Sequence, residues 1–542
     1  AILIALLAGL TGWTAFTAAA PEIPPGQQTL EGILDIRHGD DFTSGRVTGY
    51  AYFLRSPGRE TELVFEGAAP DDSVSGTQVR VHGVRQGDKF FVAAGGTQHG
   101  SSPSGSSSVA TGAKRVAIVL FNFSNDASQP YTPAFASGVA FTNSNSVAAY
   151  YAETSWGQLT LTGDVFGWYT IPDRSDTCAV GAWATSVTTA VAAASIDLGL
   201  YDNVVYAFPY AASCAWSGKA SMPGRTSWLN GTSGMSLHTM AHELGHNFRT
   251  HHASALNCTE GGVRVALSQT CTVSEYGDPF SVMGGASHYQ HTNFSRGNFG
   301  WLSNANTLTA TASGDYSVRP IENDDPTGIQ VLRIPRADTG LYLTLEFRQP
   351  FGTSFDTFSA TDPVTNGVTV RLTADYSAPS QTRLIDSTPA TLSFADAPLA
   401  VGQTLMDPVS GVSITTVGVS SSGASVRISF GAVPPAPSPT ATPTATAVPT
   451  PTPDTEAPTT PGQFNAALGR GKKVVLSWTA SSDNVAVAGY WIFRDGAQVA
   501  STSGTSLTDA VPGKSAMHTY YVVAYDAVGN LSPPSDAVTI RP

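Results

Sequence analysis

Charge is what this sequence has least of. Asp, Glu, Lys and Arg make up 13% of its 542 residues, against roughly 25% in an average soluble domain. Gly, Ser, Thr and Ala take their place, a composition that suits β-rich exported modules better than a helical cytosolic enzyme. Basic residues form no block, and the formal net charge is -13. That excludes a nucleic-acid partner or an anionic membrane recognised through a cationic surface. Past the N-terminal segment no apolar run approaches the about 20 residues of a membrane helix, so no span is expected in the mature chain. No G-x-S-x-G elbow, P-loop or EF-hand loop is present, which leaves serine-hydrolase, nucleotide and EF-hand chemistry without support. Structural Ca2+ near the Asp/Gly turns is equally unsupported.

Cysteine is scarce too: Cys178, Cys214, Cys258 and Cys271 are all there are. The C-x-x-C pairs of a tetrathiolate zinc site are missing. An even number in an exported chain suggests two disulfides. Sequence order favours Cys178–Cys214 and Cys258–Cys271 among the three connectivities.

What is there reads as a string of modules, more than one domain for this length. Ala1 to Leu10 is apolar and is followed by small residues up to Ala20. Residues 1–20 therefore read as a signal peptide, which makes the protein secreted and extracellular. Residues 21–94 alternate apolar and polar (Gly32–Ile36, Tyr50–Leu54, Gln78–Val81, Lys89–Val92) and predict a small β-barrel or sandwich. A Gly/Ser-rich linker spans 95–112. Residues 113–305 are mixed α/β, with strands at Val116–Phe123, Gln158–Thr162 and Asn203–Phe208 and helices near Ser146–Glu153 and Ala182–Ile196. Residues 306–431 return to short strands and predict a β-sandwich. A Pro/Thr-rich spacer covers 432–461. The end, 462–542, resembles a fibronectin type III module. Its signs are Trp478 in Val474–Trp478, then Tyr490–Gly496, then Tyr520–Asp526, which is similar to a tyrosine-corner strand.

The chemistry lies in Met235–His252, M-S-L-H-T-M-A-H-E-L-G-H-N-F-R-T-H-H. Leu237, Met240, Ala241, Leu244 and Phe248 form one apolar stripe at helical spacing. His242 and His246 are four apart and project together, away from that stripe. Two neutral imidazoles so placed can bind one Zn2+, and a catalytic site adds a third ligand and leaves one position open. Glu243, beside a ligand without being one, is placed to act as general base on a water acidified by the ion.

H-E-x-x-H followed by x-x-G-x-x-H is the metzincin pattern, and its last position is His252. Glu275–Gly284, E-Y-G-D-P-F-S-V-M-G, looks like the Met-turn of such enzymes. Together with Tyr150–Leu159 and Gly167–Tyr169, these segments resemble the gametolysin family of metzincin metallopeptidases over most of 113–305. The resemblance implies His242, His246 and His252 as zinc ligands, Glu243 as base and Met283 as the Met-turn residue. It makes the fold class multidomain α+β, a metzincin-like α/β catalytic domain flanked by all-β domains.

One position departs from the pattern. Arg249 stands where the family has Gly, which normally allows the positive φ that swings the third ligand back. His251 is then a rival third ligand, and Glu260 or Glu275 would signal another metalloprotease class. His238, His288, Tyr289 and His291 carry no assigned role.

The reading is a secreted zinc endopeptidase acting on protein or peptide substrates of the extracellular matrix or cell surface. Ser217–Leu229 is the expected substrate-pairing strand. Residues 21–108 are a candidate propeptide; they hold no Cys to plug the zinc, and Lys114-Arg115 is a candidate processing point. The C-terminal modules suit contact with a surface or polysaccharide. The alternative is an extracellular binding or adhesion protein with a degenerate, inactive peptidase domain.

Overall fold

The computed structural model describes residues 27–42, 46–56, 59–66, 75–99, 110–286, 289–324, 328–336, 339–351, 354–377, 380–431, 456–469, 473–484, 486–495, 497–502, 504–510, 517–526 and 530–541. The expected signal peptide, parts of both linkers and His288 lie outside these residues. The chain divides into two compact units, Ala1–Ala436 and Pro437–Pro542.

The first unit opens with five strands: β1 (Gln28–Asp41), β2 (Arg46–Ser56), β3 (Arg59–Phe65), β4 (Gln78–Gln86) and β5 (Lys89–His99). They close on themselves in the order β1-β2-β3-β5-β4 and back to β1. Closure follows from the alternation along each strand. One set of side chains, including Leu34, Leu54, Leu63, Val81 and Phe90, fills the interior. β3 was not legible as a strand, because R-E-T-E-L-V-F carries its charges and apolar residues in separate halves.

Next come β6 (Gly112–Phe123), α1 (Pro133–Ser137), α2 (Val147–Thr154), β7 (Leu159–Ile171), α3 (Val180–Ala193), β8 (Asn203–Phe208), β9 (Gly218–Ser221), β10 (Thr226–Asn230), α4 (Gly231–Gly234) and α5 (Leu237–Asn247). The sheet order is β9-β10-β8-β6-β7. β8 is buried from end to end and β6 from Val116 to Phe123, as a continuous apolar run between two covering layers requires. β10, β8, β6 and β7 run parallel, while β9 is antiparallel, between β10 and β1. Lys114 and Arg115 sit inside β6, paired to Leu161 and Thr162 of β7. A cut there would require β6 to come away locally from β7, although both side chains are partly exposed.

The barrel is not a separate bead. β1 runs on past it and pairs antiparallel with β9, Arg37 opposite Ser221 through Asp40 opposite Gly218. At the other end, β11 (Ala253–Glu260), β12 (Val263–Val265) and β13 (Cys271–Ser274) lead into α6 (Asn293–Phe299). β11 also pairs in parallel with Thr382–Ile385 from the following region. One sheet thus crosses the boundary expected at residue 305. Disulfides join Cys178 to Cys214 and Cys258 to Cys271.

Among its described residues the second unit has seven strands in sheets of three and four. Trp478, Tyr490, Ile492 and Tyr520 lie in the core between them. Among the described residues no helix is long and apolar enough to cross a membrane.

Candidate metal centre

Helix α5 begins at Ser236, whose hydroxyl accepts from the Thr239 N–H. Its far end is pinned by Asn247. The Asn247 amide donates to the Ser221 and Thr226 carbonyls and accepts from Ser227 and Asn203. One side is held by Tyr151, whose hydroxyl donates to the Ala241 carbonyl at 2.6 Å. The apolar stripe read from the sequence faces the core, with Met240, Ala241, Leu244 and Phe248 all buried. The other face carries His242, Glu243 and His246, also fully buried.

After the helix the chain reverses at Arg249, with φ +92°, and brings in His252. The three rings converge, with centroids 4.7 Å apart for His242–His246, 5.1 Å for His242–His252 and 5.0 Å for His246–His252. His251 turns away toward the Tyr50 hydroxyl at 3.2 Å. Glu260 is exposed at the end of β11.

Each ring is oriented from behind. Nδ1 of His242 faces the Val282 carbonyl at 2.8 Å, and Nδ1 of His246 faces the Thr250 carbonyl at 2.9 Å. Nδ1 of His252 faces Glu275 Oε1 at 2.6 Å. Donation from Nδ1 leaves Nε2 as a bare lone pair, the tautomer a metal takes. All three Nε2 atoms are buried without a hydrogen-bond partner. Such buried groups demand an explanation, and the donor set fits a divalent cation. Met283 lies beneath, close against Gly245: a Cβ there would stand 2.6 Å from Met283 Sδ. Burial lowers the His242 pKa to about 3 and lowers that of His246, so both stay neutral. Burial also lowers His252, but Asp40 and Glu275 outweigh it and raise the group to about 9.

Two residues that sequence reasoning missed complete the cluster. Asp40, on β1, has Oδ1 2.9 Å from His252 Nε2 and 3.6 Å from His242 Nε2, with Oδ2 3.6 Å from His246 Nε2. His38 joins it, Nδ1 lying 3.0 Å from Asp40 Oδ1. His38, Asp40, His246 and His252 form a buried group able to hold a metal ion. The Tyr276 hydroxyl donates to Asp40 Oδ1 at 2.7 Å. A signal was available: the alternation of β1 breaks at R-H-G-D-D, where polar residues fall on both faces.

Glu243 points both carboxylate oxygens at no hydrogen-bond partner. Burial pushes its carboxyl well up, and the neighbouring Asp40 carboxylate adds to the effect. Gly218 of β9 lies directly over it, where a Cβ would meet Glu243 Oε1 at 2.1 Å. His238 stacks on Phe42 at 4.3 Å. His291 is buried among Tyr150, Tyr151, Phe299 and Trp301 behind the helix, and Tyr289 stacks on Phe358.

Residues 134–312 match the family described as gametolysin peptidase M11, which supports a peptidase. Curated relatives match elsewhere in kind. An alpha-amylase of Niallia circulans is 45% identical over 86 residues, 16% of this chain and 7% of that protein. Exoglucanase B of Cellulomonas fimi is 42% identical over 87 residues, 16% of this chain and 8% of that protein. The chain thus spans less than a tenth of the length of either. Among solved structures, a human fibronectin type III domain aligns at 15% identity over 16% of this chain and 88% of that one, with a TM-score of 0.15.

Proposed function

We propose that this protein is a secreted zinc endopeptidase of the metzincin type, with the ion held by His242, His246 and His252 and with Glu243 as general base. The observation that carries the reading is the convergence of three buried, partnerless Nε2 atoms, each fixed by a bond to the opposite ring nitrogen. The gametolysin peptidase match over 134–312 supports the same reading.

When bound, zinc would polarise the scissile carbonyl and acidify a water. The chain's own groups do the rest. Val282, Thr250 and Glu275 hold the imidazoles in their tautomer and direction. Glu243, off the ligand set and on the same helical face, takes a proton from the attacking water and hands it to the leaving amine. With β1 displaced from it, β9 would offer an extended peptide an edge to pair with, beside Glu243 at the side-chain gap of Gly218.

Protein substrates follow from the peptidase family. Contact with a polysaccharide surface is proposed for the C-terminal modules; relatives matching 16% of the chain bear the names alpha-amylase and exoglucanase B, which supports it.

The test is hydrolysis of casein by wild type and Glu243→Gln, with the metal content of each. Glu243→Gln is expected to keep its zinc and lose activity by roughly 10²–10⁴-fold. Equal and measurable activity in the two forms would remove Glu243 from the mechanism. Metal-free, inactive protein in both would favour the binding-protein alternative.

A further inference from the structure

The edge strand that a substrate should use is already taken. β1 lies along β9 for four residue pairs and delivers Asp40 opposite Gly218, directly above Glu243. Asp40 is fully buried there. Its oxygens stand 2.9, 3.6 and 3.6 Å from the three histidine Nε2 atoms. Donors about 2.0–2.1 Å from one tetrahedral ion lie about 3.3 Å from one another. The carboxylate therefore occupies the fourth corner of the histidine set. The 2.9 Å approach to His252 Nε2 lacks hydrogen-bond alignment. An approach this close needs a positive charge between the two atoms, a proton on Nε2 or a metal ion, and the poor alignment favours the ion.

We propose that Asp40 is the fourth ligand of the metal, and that β1 lies in place of substrate, so that the N-terminal barrel is a built-in inhibitor of the peptidase. The proposal rests on the zinc reading above. The carboxylate excludes the water that Glu243 would activate, which explains why a strand lying in the cleft is held rather than cut. Tyr276 and His38 fix the carboxylate by bonds of 2.7 and 3.0 Å to Oδ1. Phe42 closes the outer side, its ring 4.8 Å from His242 and 5.9 Å from Tyr276.

The barrel is built to leave. Its buried Arg37 docks against Trp228 of the catalytic sheet, but its ion-pair partners, Asp35 and Glu60, both belong to the barrel. Separation therefore leaves Arg37 with both of its ion-pair partners, and Asp40 is the charge that gives up contacts across the seam. On the catalytic side, Ala110 is already anchored, its N–H to the Phe299 carbonyl and its carbonyl to Trp301 Nε1. A chain beginning near there keeps β6 whole.

The experiment uses the full chain, as wild type, Asp40→Ala and the near-isosteric Asp40→Asn, each loaded with Co2+ and checked for an intact N-terminus by mass spectrometry. The visible Co2+ spectrum is recorded with and without acetohydroxamate, and casein hydrolysis is measured on the zinc forms. Wild type should show a closed site that acetohydroxamate does not perturb. Both variants should show an altered spectrum that the probe shifts. Their hydrolysis should exceed that of wild type by on the order of a hundredfold, as expected on removing an intrachain occupant at millimolar effective concentration. Identical spectra in folded wild type and Asp40→Asn would overturn the proposal, as would full activity in uncleaved wild type. Differing spectra without hydrolysis in any form would keep Asp40 as ligand and sink the peptidase reading instead.

Discussion

Arg249 turns the chain with φ +92°, a conformation that disfavours residues bearing a Cβ. It is paid for locally: Arg249 N–H reaches the His246 carbonyl at 2.9 Å, Thr250 N–H reaches the Gly245 carbonyl at 3.1 Å, and the guanidinium donates to the Ser377 carbonyl. The departure from the family pattern is thus met by the same turn at a cost, without a shift of register to His251. Arg249→Gly should leave stability unchanged or raise it by up to about 1 kcal/mol, while Arg249→Val should cost about 1–3 kcal/mol. Urea denaturation of the two variants checks this; a Gly variant weaker than wild type would show that the arginine contacts dominate. The metal cluster was half legible at this scale. His242, Glu243 and His246 share one helical face, so periodicity alone groups them. Asp40 and His38 come from more than 190 residues away on a strand, and no local pattern encodes that pairing.

At the scale of elements, the segment carrying Met283 is braced from the region after it. Asp278 accepts from Arg371 at 2.7 Å and from the Phe280 N–H at 2.9 Å. Arg371 and Arg348 share Glu346, and Arg348 also binds Asp356. All of these side chains are fully buried. Losing one member of a buried ion network costs about 3–5 kcal/mol, so Arg371→Ala should lower stability by that order. Zinc affinity should fall with it, since the Val282 carbonyl that orients His242 sits on the same turn. A stable Arg371→Ala protein with normal zinc affinity would show that the turn is held by packing alone. These charges read in sequence as ordinary strand residues; only the folded sheet brings them together. Helix α5, by contrast, was readable almost to its ends, because capping and apolar spacing are local.

At the scale of the whole molecule, the sequence boundaries marked composition better than they marked folding units. The barrel joins the catalytic sheet through β1 and β9, and β11 joins the strand Thr382–Ile385 across residue 305. A chain ending at residue 305 should therefore fail to fold, whereas one ending at 436 should keep its thermal transition and its activity, since 437–542 is a separate compact unit. Circular dichroism of both truncations tests this. A cooperatively folded 1–305 fragment would mean that the shared sheet is dispensable.

The most direct test of the whole account is the metal content of the purified, folded chain and of its His246→Ala variant, by elemental analysis. One zinc per chain, falling close to none in the variant, is predicted. A folded wild type that takes up no divalent metal, or a variant that keeps it, would contradict the centre on which every functional statement here depends.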